Sequence, residues 1–483
     1  MTKTVVQSFL DQARRSPQKP AIRAEGFSIS FDQLAGLVIT YALHLQATGV
    51  TRRSTIAIRT DDPLIVITTA LAAALMGCGW VFDGKALSQT NAVRVTHRFQ
   101  AVDKGQQARD GVLPIDESWS MPLAPVNSAA AIRFPGFESD AHIWLFFPSS
   151  GTTGTPKFMA LSHQIVRDRI KANAVEFPHG DEVCVFLFAV HSPPTLMRAI
   201  CALTQGAGLV LSSDTELWLD CGVTHVFGSP SQIAHVLPAQ PLRRKIRKAL
   251  IGGDFLPDKL TARMLNSFEA VVNTYGSTES NLVVENAKHL LPDGNITTKT
   301  HWHDSVIEIV DDIDQPVAKG TEGTVRIRNG YLVPGYIDSP EAQAASFRDG
   351  WFYPGDRGVI SAEGDFTVTG RTNDIFNLGG IKVNAALLDF VLQSVPGVAD
   401  AVCFMMPAND GLKELVALIR VLPDAVIPNV TSDARIQIAR TISAAATPAK
   451  FIYSDLIPRT ENGKPDRAAC VAMALSKRQE NRL

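Results

Sequence analysis

The apolar positions of this chain fall into short runs separated by stretches of helical periodicity. Runs at 55–59, 183–190, 208–211, 225–228 and 248–252 are bounded by turn residues and rich in Val, Ile, Leu, Phe and Ala, the pattern of strands covered on both faces. Between them, 162–174 and 194–203 repeat their apolar residues at the 3.6-residue period. Strands alternating with helices predict an α/β architecture, a large N-terminal domain of doubly wound, mostly parallel sheets. The stretch 63–82 carries no charge and approaches the length of a membrane span. Gly77 and Gly79 divide it, so it reads as a buried helix over 64–76, a turn and a short strand over 80–82, without membrane insertion.

Near Gly323 the texture changes. Segments 323–328 and 365–369 alternate with period two, which predicts half-buried antiparallel strands forming a small β-barrel subdomain. Beyond Gly370 a polar turn, Arg371-Thr-Asn-Asp374, leads into an α+β segment with a helix near 385–394 and strands near 399–405 and 415–421. A chain of 483 residues exceeds one usual core. The expected division is 1–370 and 371–483.

Composition narrows the function classes. Lys and Arg total 46 against 48 Asp and Glu, leaving no basic excess for nucleic acid and no acidic tail. Six cysteines, Cys78, Cys184, Cys201, Cys221, Cys403 and Cys470, are widely spaced, form no Cys-x-x-Cys pair, and read as reduced core residues. Polar residues break the first eleven positions too often for a signal-peptide core, so a cytoplasmic location is expected.

The chemistry starts with Phe147-Pro-Ser-Ser-Gly-Thr-Thr-Gly-Thr-Pro-Lys157, directly after an apolar run. Glycines let backbone amides approach an anion, hydroxyls add donors, and Lys157 adds charge. The spacing is not that of a Walker loop, because Lys157 follows Pro156 and precedes Phe158. Four more segments follow in order: Asn273-Thr-Tyr-Gly-Ser-Thr-Glu279, Trp351-Phe-Tyr-Pro-Gly-Asp-Arg-Gly358, Gly370-Arg-Thr-Asn-Asp374 and Pro458-Arg-Thr-Glu-Asn-Gly-Lys464.

In this order the five segments resemble the motifs of the adenylate-forming (AMP-binding) superfamily, which includes acyl-CoA synthetases, aryl-CoA ligases, luciferases and nonribosomal peptide synthetase adenylation domains. The resemblance runs from about Val5 to Arg467. It implies a ligase that uses ATP and Mg²⁺ to convert a carboxylate to an acyl adenylate and then transfers the acyl group to CoA. Two alternatives stay open: delivery to the phosphopantetheine of a separate carrier protein, and a nonreactive adenylate-binding scaffold.

Residue by residue, the resemblance implies that Ser149, Ser150, Gly151, Thr152, Thr153, Gly154 and Lys157 hold the phosphates, with Gly252, Asp254, Asn273, Tyr275, Gly276, Asp356 and Arg371 completing the nucleotide site. Thr278 would bond the α-phosphate, Glu279 and Thr153 would serve Mg²⁺, and Lys464 would bridge carboxylate and α-phosphate from a mobile lid turning about Asn373. His191 would stand beside the reacting carboxylate, and Ser192, Phe227, Ser229, Gly253 and Thr274 would line the acyl pocket. Gly379 and Gly380 could line a passage for the thiol arm or simply make a turn. The chain departs from the family at the hinge, where Asn373 replaces the usual Asp or Lys, and at Ala385 and Leu387, where Pro and Glu are usual. No Asp or Glu lies between Val183 and Ser213, which argues against an amino-acid substrate. Arg198 could meet a second carboxylate or a polar tail.

Overall fold

The computed structural model describes residues 3–120, 134–149, 156–173, 178–253, 256, 258–371, 375–378, 381–408, 413–460 and 465–480. The chain forms two compact units, one of Met1–Gly252, Asp258–Val306 and Arg328–Phe352, the other of Gly253–Pro257, Ile307–Ile327 and Tyr353–Leu483.

Two large sheets dominate the first unit, which also holds the short pair Phe347–Arg348 and Trp351–Phe352. The larger runs in the order Ile296–Trp302, Asn281–Leu290, Phe268–Ser277, Ile246–Gly252, His225–Gly228, Val183–Phe186, Gly208–Val210, Pro20–Ala24 and Phe27–Ser30. Its centre is parallel and both margins are antiparallel. The smaller has five parallel strands, Leu113–Ile115, His97–Ala101, Thr55–Arg59, Gly79–Phe82 and Ile143–Pro148, closed by the antiparallel Phe158–Ser162. This is the α/β arrangement expected from the alternation of strands and helices.

The uncharged stretch becomes the helix Pro63–Met76. Asp62 caps its start by accepting from the Leu64 amide at 2.8 Å, and Gly77 ends it at φ +69, a backbone angle that glycine takes without strain. Every residue from Val66 to Met76 is buried, so the all-round apolar composition is satisfied by protein. Among the described residues no helix is long and apolar enough to cross a membrane.

The run at 183–190 is a strand only to Phe186. The Leu187 amide still bonds the Phe227 carbonyl at 2.8 Å, but the Gln232 side chain takes the Leu187 carbonyl at 2.8 Å in place of a neighbouring strand. From there the chain turns through Ala189–Ser192 into the helix Pro193–Thr204. The hairpin of Phe268–Ser277 and Asn281–Leu290, with Ile296–Trp302 beyond it, was not legible as strands in the sequence pattern.

In the second unit, Asp356–Ile360 pairs with Phe366–Arg371, and Gly323 and Thr324 pair with Gly358 and Arg357. The expected barrel is not formed, since no sheet closes on itself among the described residues. The strand Phe366–Arg371 ends its sheet with Thr367 and Thr369 facing solvent, a polar margin that needs no closure. A three-stranded sheet of Val398–Pro407, Lys413–Val421 and Lys450–Tyr453 carries the helices Ala385–Gln393, Ile427–Thr441 and Arg467–Glu480 over two apolar clusters.

Candidate active site

The loop that opens the motif series is held at both ends. Strand Ile143–Pro148 enters it and Phe158–Ser162 leaves it, Pro148 faces Phe158 in the ladder, and the Ser149 amide donates to the Lys157 carbonyl at 2.7 Å. The Lys157 ammonium lies over the Tyr336 ring, 5.3 Å from its centroid. Ser150, Gly151, Thr152, Thr153 and Gly154 lie outside the described residues.

Asn273, Thr274, Tyr275 and Gly276 occupy the end of strand Phe268–Ser277, and Thr278 and Glu279 the turn that follows. Local chemistry makes this turn tight. A Cβ at Gly276 would run into the Asn281 carbonyl, Asn281 takes φ +63, and the Ser277 and Ser280 hydroxyls each accept from the other residue's amide at 3.2 Å. Behind the turn lies Arg169, 2% exposed, whose guanidinium donates to the carbonyls of Thr278 at 2.9 Å, Glu279 at 3.0 Å and Tyr331 at 2.8 and 3.1 Å. Burial pulls the Arg169 pKa down to about 10 and the Glu279 carboxylate opposes that shift, so the residue stays cationic at neutral pH. Asn173 and Asn281 exchange side-chain amide bonds at 3.2 Å, tying the same helix to the turn.

The Glu279 side chain is itself buried, and the Tyr336 hydroxyl donates to its Oε1 at 2.8 Å. Tyr336 thus joins the lysine that closes the first loop to the carboxylate of the second motif. Sequence reasoning missed both Arg169 and Tyr336. A signal for the first existed, because Val166, Arg169 and Asn173 share the buried face of helix His163–Asn173, where a cation on an apolar stripe needs a buried partner.

His191 stacks on Phe82 with centroids 3.6 Å apart and planes 4° from parallel, joining the ends of the two sheets. Ser192 is buried and its hydroxyl bonds that of Thr195 at 3.0 Å. Phe227 stacks on Phe186 at 4.9 Å and lies 5.4 Å beneath the Arg198 guanidinium. Burial draws Arg198 down to about 10, with Glu285 opposing. Ser229 caps helix Pro230–Val236 in a reciprocal box with Gln232, which gives its hydroxyl a structural duty. A Cβ at Gly252 would lie 2.5 Å from Thr274 Oγ1, which donates to the Ile251 carbonyl at 3.1 Å.

In the second unit Asp356 is 6% exposed, and Arg371 Nε lies 3.3 Å from its Oδ1, the two facing each other in the ladder. Gly253, at φ +88, also belongs to this unit. Asp254, Asn373, Gly379, Gly380 and Lys464 lie outside the described residues. Among those described, no group of three or more His, Cys, Asp or Glu could hold a metal ion. The Glu279 carboxylate is an oxygen donor of the kind that a hard divalent cation takes.

In the first unit Tyr336 joins Lys157, at the end of the Gly/Ser/Thr loop, to Glu279, and in the second Asp356 pairs with Arg371. The family model for AMP-binding enzymes matches residues 9–337, and the chain belongs to that family. Gramicidin S synthase 2 of Brevibacillus brevis is 25% identical over 491 residues, which cover 96% of this chain and 11% of that protein. The 3-hydroxybenzoate-CoA/4-hydroxybenzoate-CoA ligase of Thauera aromatica is 26% identical over 348 residues, 67% of this chain and 65% of that enzyme. The chain thus spans a small part of the first relative and just under two thirds of the second. The structure of the Bacillus subtilis o-succinylbenzoate CoA synthetase with its acyl-adenylate intermediate superposes with a TM-score of 0.80 at 20% identity, covering 97% of this chain and 98% of that one.

Proposed function

We propose that this protein is an AMP-forming acid-thiol ligase, which activates a small carboxylic acid with ATP and Mg²⁺ and passes the acyl group to CoA. In the first half-reaction a carboxylate oxygen attacks the α-phosphorus and pyrophosphate leaves. In the second, a thiolate attacks the acyl carbon and AMP leaves. The observation that carries this reading is the Lys157–Tyr336–Glu279 chain, which brings the anion loop and the acidic turn to one place. Catalysis of phosphoryl-centre attack is mostly positioning and charge stabilisation, and these residues supply both signs of charge, Lys157 just before the strand Phe158–Ser162 and Glu279 just after Phe268–Ser277.

In this reading the described Ser149 and Lys157 frame the loop, Thr278 bonds the α-phosphate, and Glu279, oriented by the Tyr336 hydroxyl, would hold Mg²⁺. The ion would offset charge on the phosphates. Asp356 accepts from the ribose hydroxyls with Arg371 beside it, and Tyr275 stacks on adenine. His191, Phe227 and Thr274 face the acyl group. Segment 371–483 acts as the lid, with Lys464 serving the first half-reaction. Five of the six free cysteines are buried, which fits a reducing compartment, and we place the protein in the cytoplasm.

A second acceptor is supported by one observation, the match of 96% of this chain to a peptide synthetase. There the acyl group would pass to a carrier protein's phosphopantetheine. The deciding experiment measures pyrophosphate release from a carboxylic-acid panel with ATP and Mg²⁺, with and without CoA. CoA-stimulated turnover with a thioester product is expected. A burst of acyl-AMP that CoA fails to discharge would move the acceptor to a carrier protein, and no release from any acid would overturn the activity.

A further inference from the structure

A buried carboxylate not foreseen from the motifs lies on the sheet face assigned to the acyl group. Positions facing one another in a ladder share a face, and the register runs Gly252 to Thr274, Thr274 to Glu285 and Glu285 to His301. Leu250, two residues before Gly252 and so on the same face, pairs with Phe227. Glu285 therefore stands in the row of Thr274, and Phe227 lies on the same face in the neighbouring row of Leu250 and Val272. It is 5% exposed, in a face otherwise made of Leu250, Val272 and Phe227. His303, 6% exposed, brings its Nε2 to 3.7 Å from Glu285 Oε2, near enough for charge to be felt but beyond a hydrogen bond. Glu285 Oε1 has no hydrogen-bond partner among the described residues.

A buried carboxylate oxygen in apolar surroundings calls for a donor. Charge decides which kind. Arg198, held over Phe227 from helix Pro193–Thr204, is electrostatically coupled to Glu285. A ligand ammonium would meet the guanidinium, and a ligand carboxylate would meet Glu285, so a neutral donor suits both.

Resting on the proposed ligase activity, we infer that Glu285 selects acids bearing a neutral hydroxyl remote from the carboxylate, the hydroxyl donating to Glu285 Oε1. A site built around a buried acceptor discriminates strongly against the analogue that cannot serve it, whereas an apolar pocket tolerates both. The test is pyrophosphate release for matched pairs of aromatic and aliphatic acids with and without a remote hydroxyl, together with the amino analogue and the dicarboxylate of each.

For the wild type, at least one pair should favour the hydroxylated member by about a hundredfold or more in kcat/KM, with the amino analogue and dicarboxylate weaker. Glu285→Leu should bring that ratio close to one while still activating the plain acid. Glu285→Gln, which keeps an acceptor oxygen and the side-chain shape, should retain part of it and serves if the leucine variant fails to fold. Equal or better use of the plain acids by the wild type, preference for the amino analogue, or an unchanged ratio in both variants would overturn the inference while leaving the ligase reading standing. Silence with every acid would overturn both.

Discussion

Arg169 shows how much one side chain can settle. Its guanidinium serves three backbone carbonyls around Thr278 and Glu279, so Arg169→Met would strand buried acceptors as well as unseat the turn. A stability loss of about 3 kcal/mol is expected, read as a lower denaturant midpoint with unchanged slope. Tyr336→Phe is the gentler probe, since it keeps the ring beneath Lys157 and removes only the hydroxyl that orients Glu279. Loss of such an outer partner weakens metal affinity about ten- to a hundredfold. The Mg²⁺ concentration for half-maximal adenylation should rise accordingly, and an unchanged Mg²⁺ titration would remove Glu279 from the metal site. His163 gives a pH prediction. It is 1% exposed, stacked on Phe137 at 4.5 Å, and its pKa is drawn down to about 4 mainly by burial and then by Arg167. Because the unfolded residue titrates near pH 6.5, between there and pH 4 the unfolded chain binds a proton that the folded chain refuses. Stability should therefore fall with acid across that window, by about 2 kcal/mol at pH 5 from this group. His225, drawn down to about 4 chiefly by burial, adds in the same direction. His163→Phe, which keeps a ring against Phe137, should reduce the pH 7 to pH 5 difference without abolishing it.

At the scale of elements, the hairpin turn between Phe268–Ser277 and Asn281–Leu290 depends on a glycine with a steric reason. Gly276→Ala would push a methyl group into the Asn281 carbonyl, backbone that cannot swing aside. A cost of about 2 kcal/mol or more is expected, visible as a lower Tm, with Thr278 and Glu279 displaced together and adenylation lost beyond what stability explains. This turn also marks the limit of what pattern reading reaches. The parallel strands were legible because burial on both faces demands uninterrupted apolar runs, as in Val183–Phe186 and Gly208–Val210. Helix Pro63–Met76 was legible because Gly77 and Gly79 divide an uncharged run of helical length, whereas its cap, Asp62, came with the structure. The strands around the motif were not, since Asn281–Leu290 and Ile296–Trp302 are rich in Asn, Lys, His and Thr and carry no apolar period. The residue types of the site were legible as motifs. Their braces were not, because Arg169 and Tyr336 reach Glu279 across 110 and 57 positions of sequence, and Glu285 faces Thr274 only through ladder register.

At the scale of the whole molecule, the residues proposed for the nucleotide belong to different units, Lys157, Thr278 and Glu279 to the first and Asp356 and Arg371 to the second. The proposed ligase has a reason to separate its two half-reactions. Adenylation needs a cation at the attacking carboxylate, whereas thiol attack needs that approach cleared. Lys464, in the second unit, is the residue proposed for the first task alone. Lys464→Ala should lower the rate of acyl-adenylate formation by two orders of magnitude or more on the scale of a lost electrostatic contact, roughly 3 kcal/mol. Thioester formation from a supplied acyl adenylate should stay within a few-fold of wild type. The measurement is single-turnover kinetics of each half on the same preparation, so that folding and active-site concentration cancel. Equal loss in both halves would make Lys464 a general structural or binding residue. Loss in the thiol half alone would assign it to acceptor binding, and the separation of tasks between the two units would then need another residue to carry it.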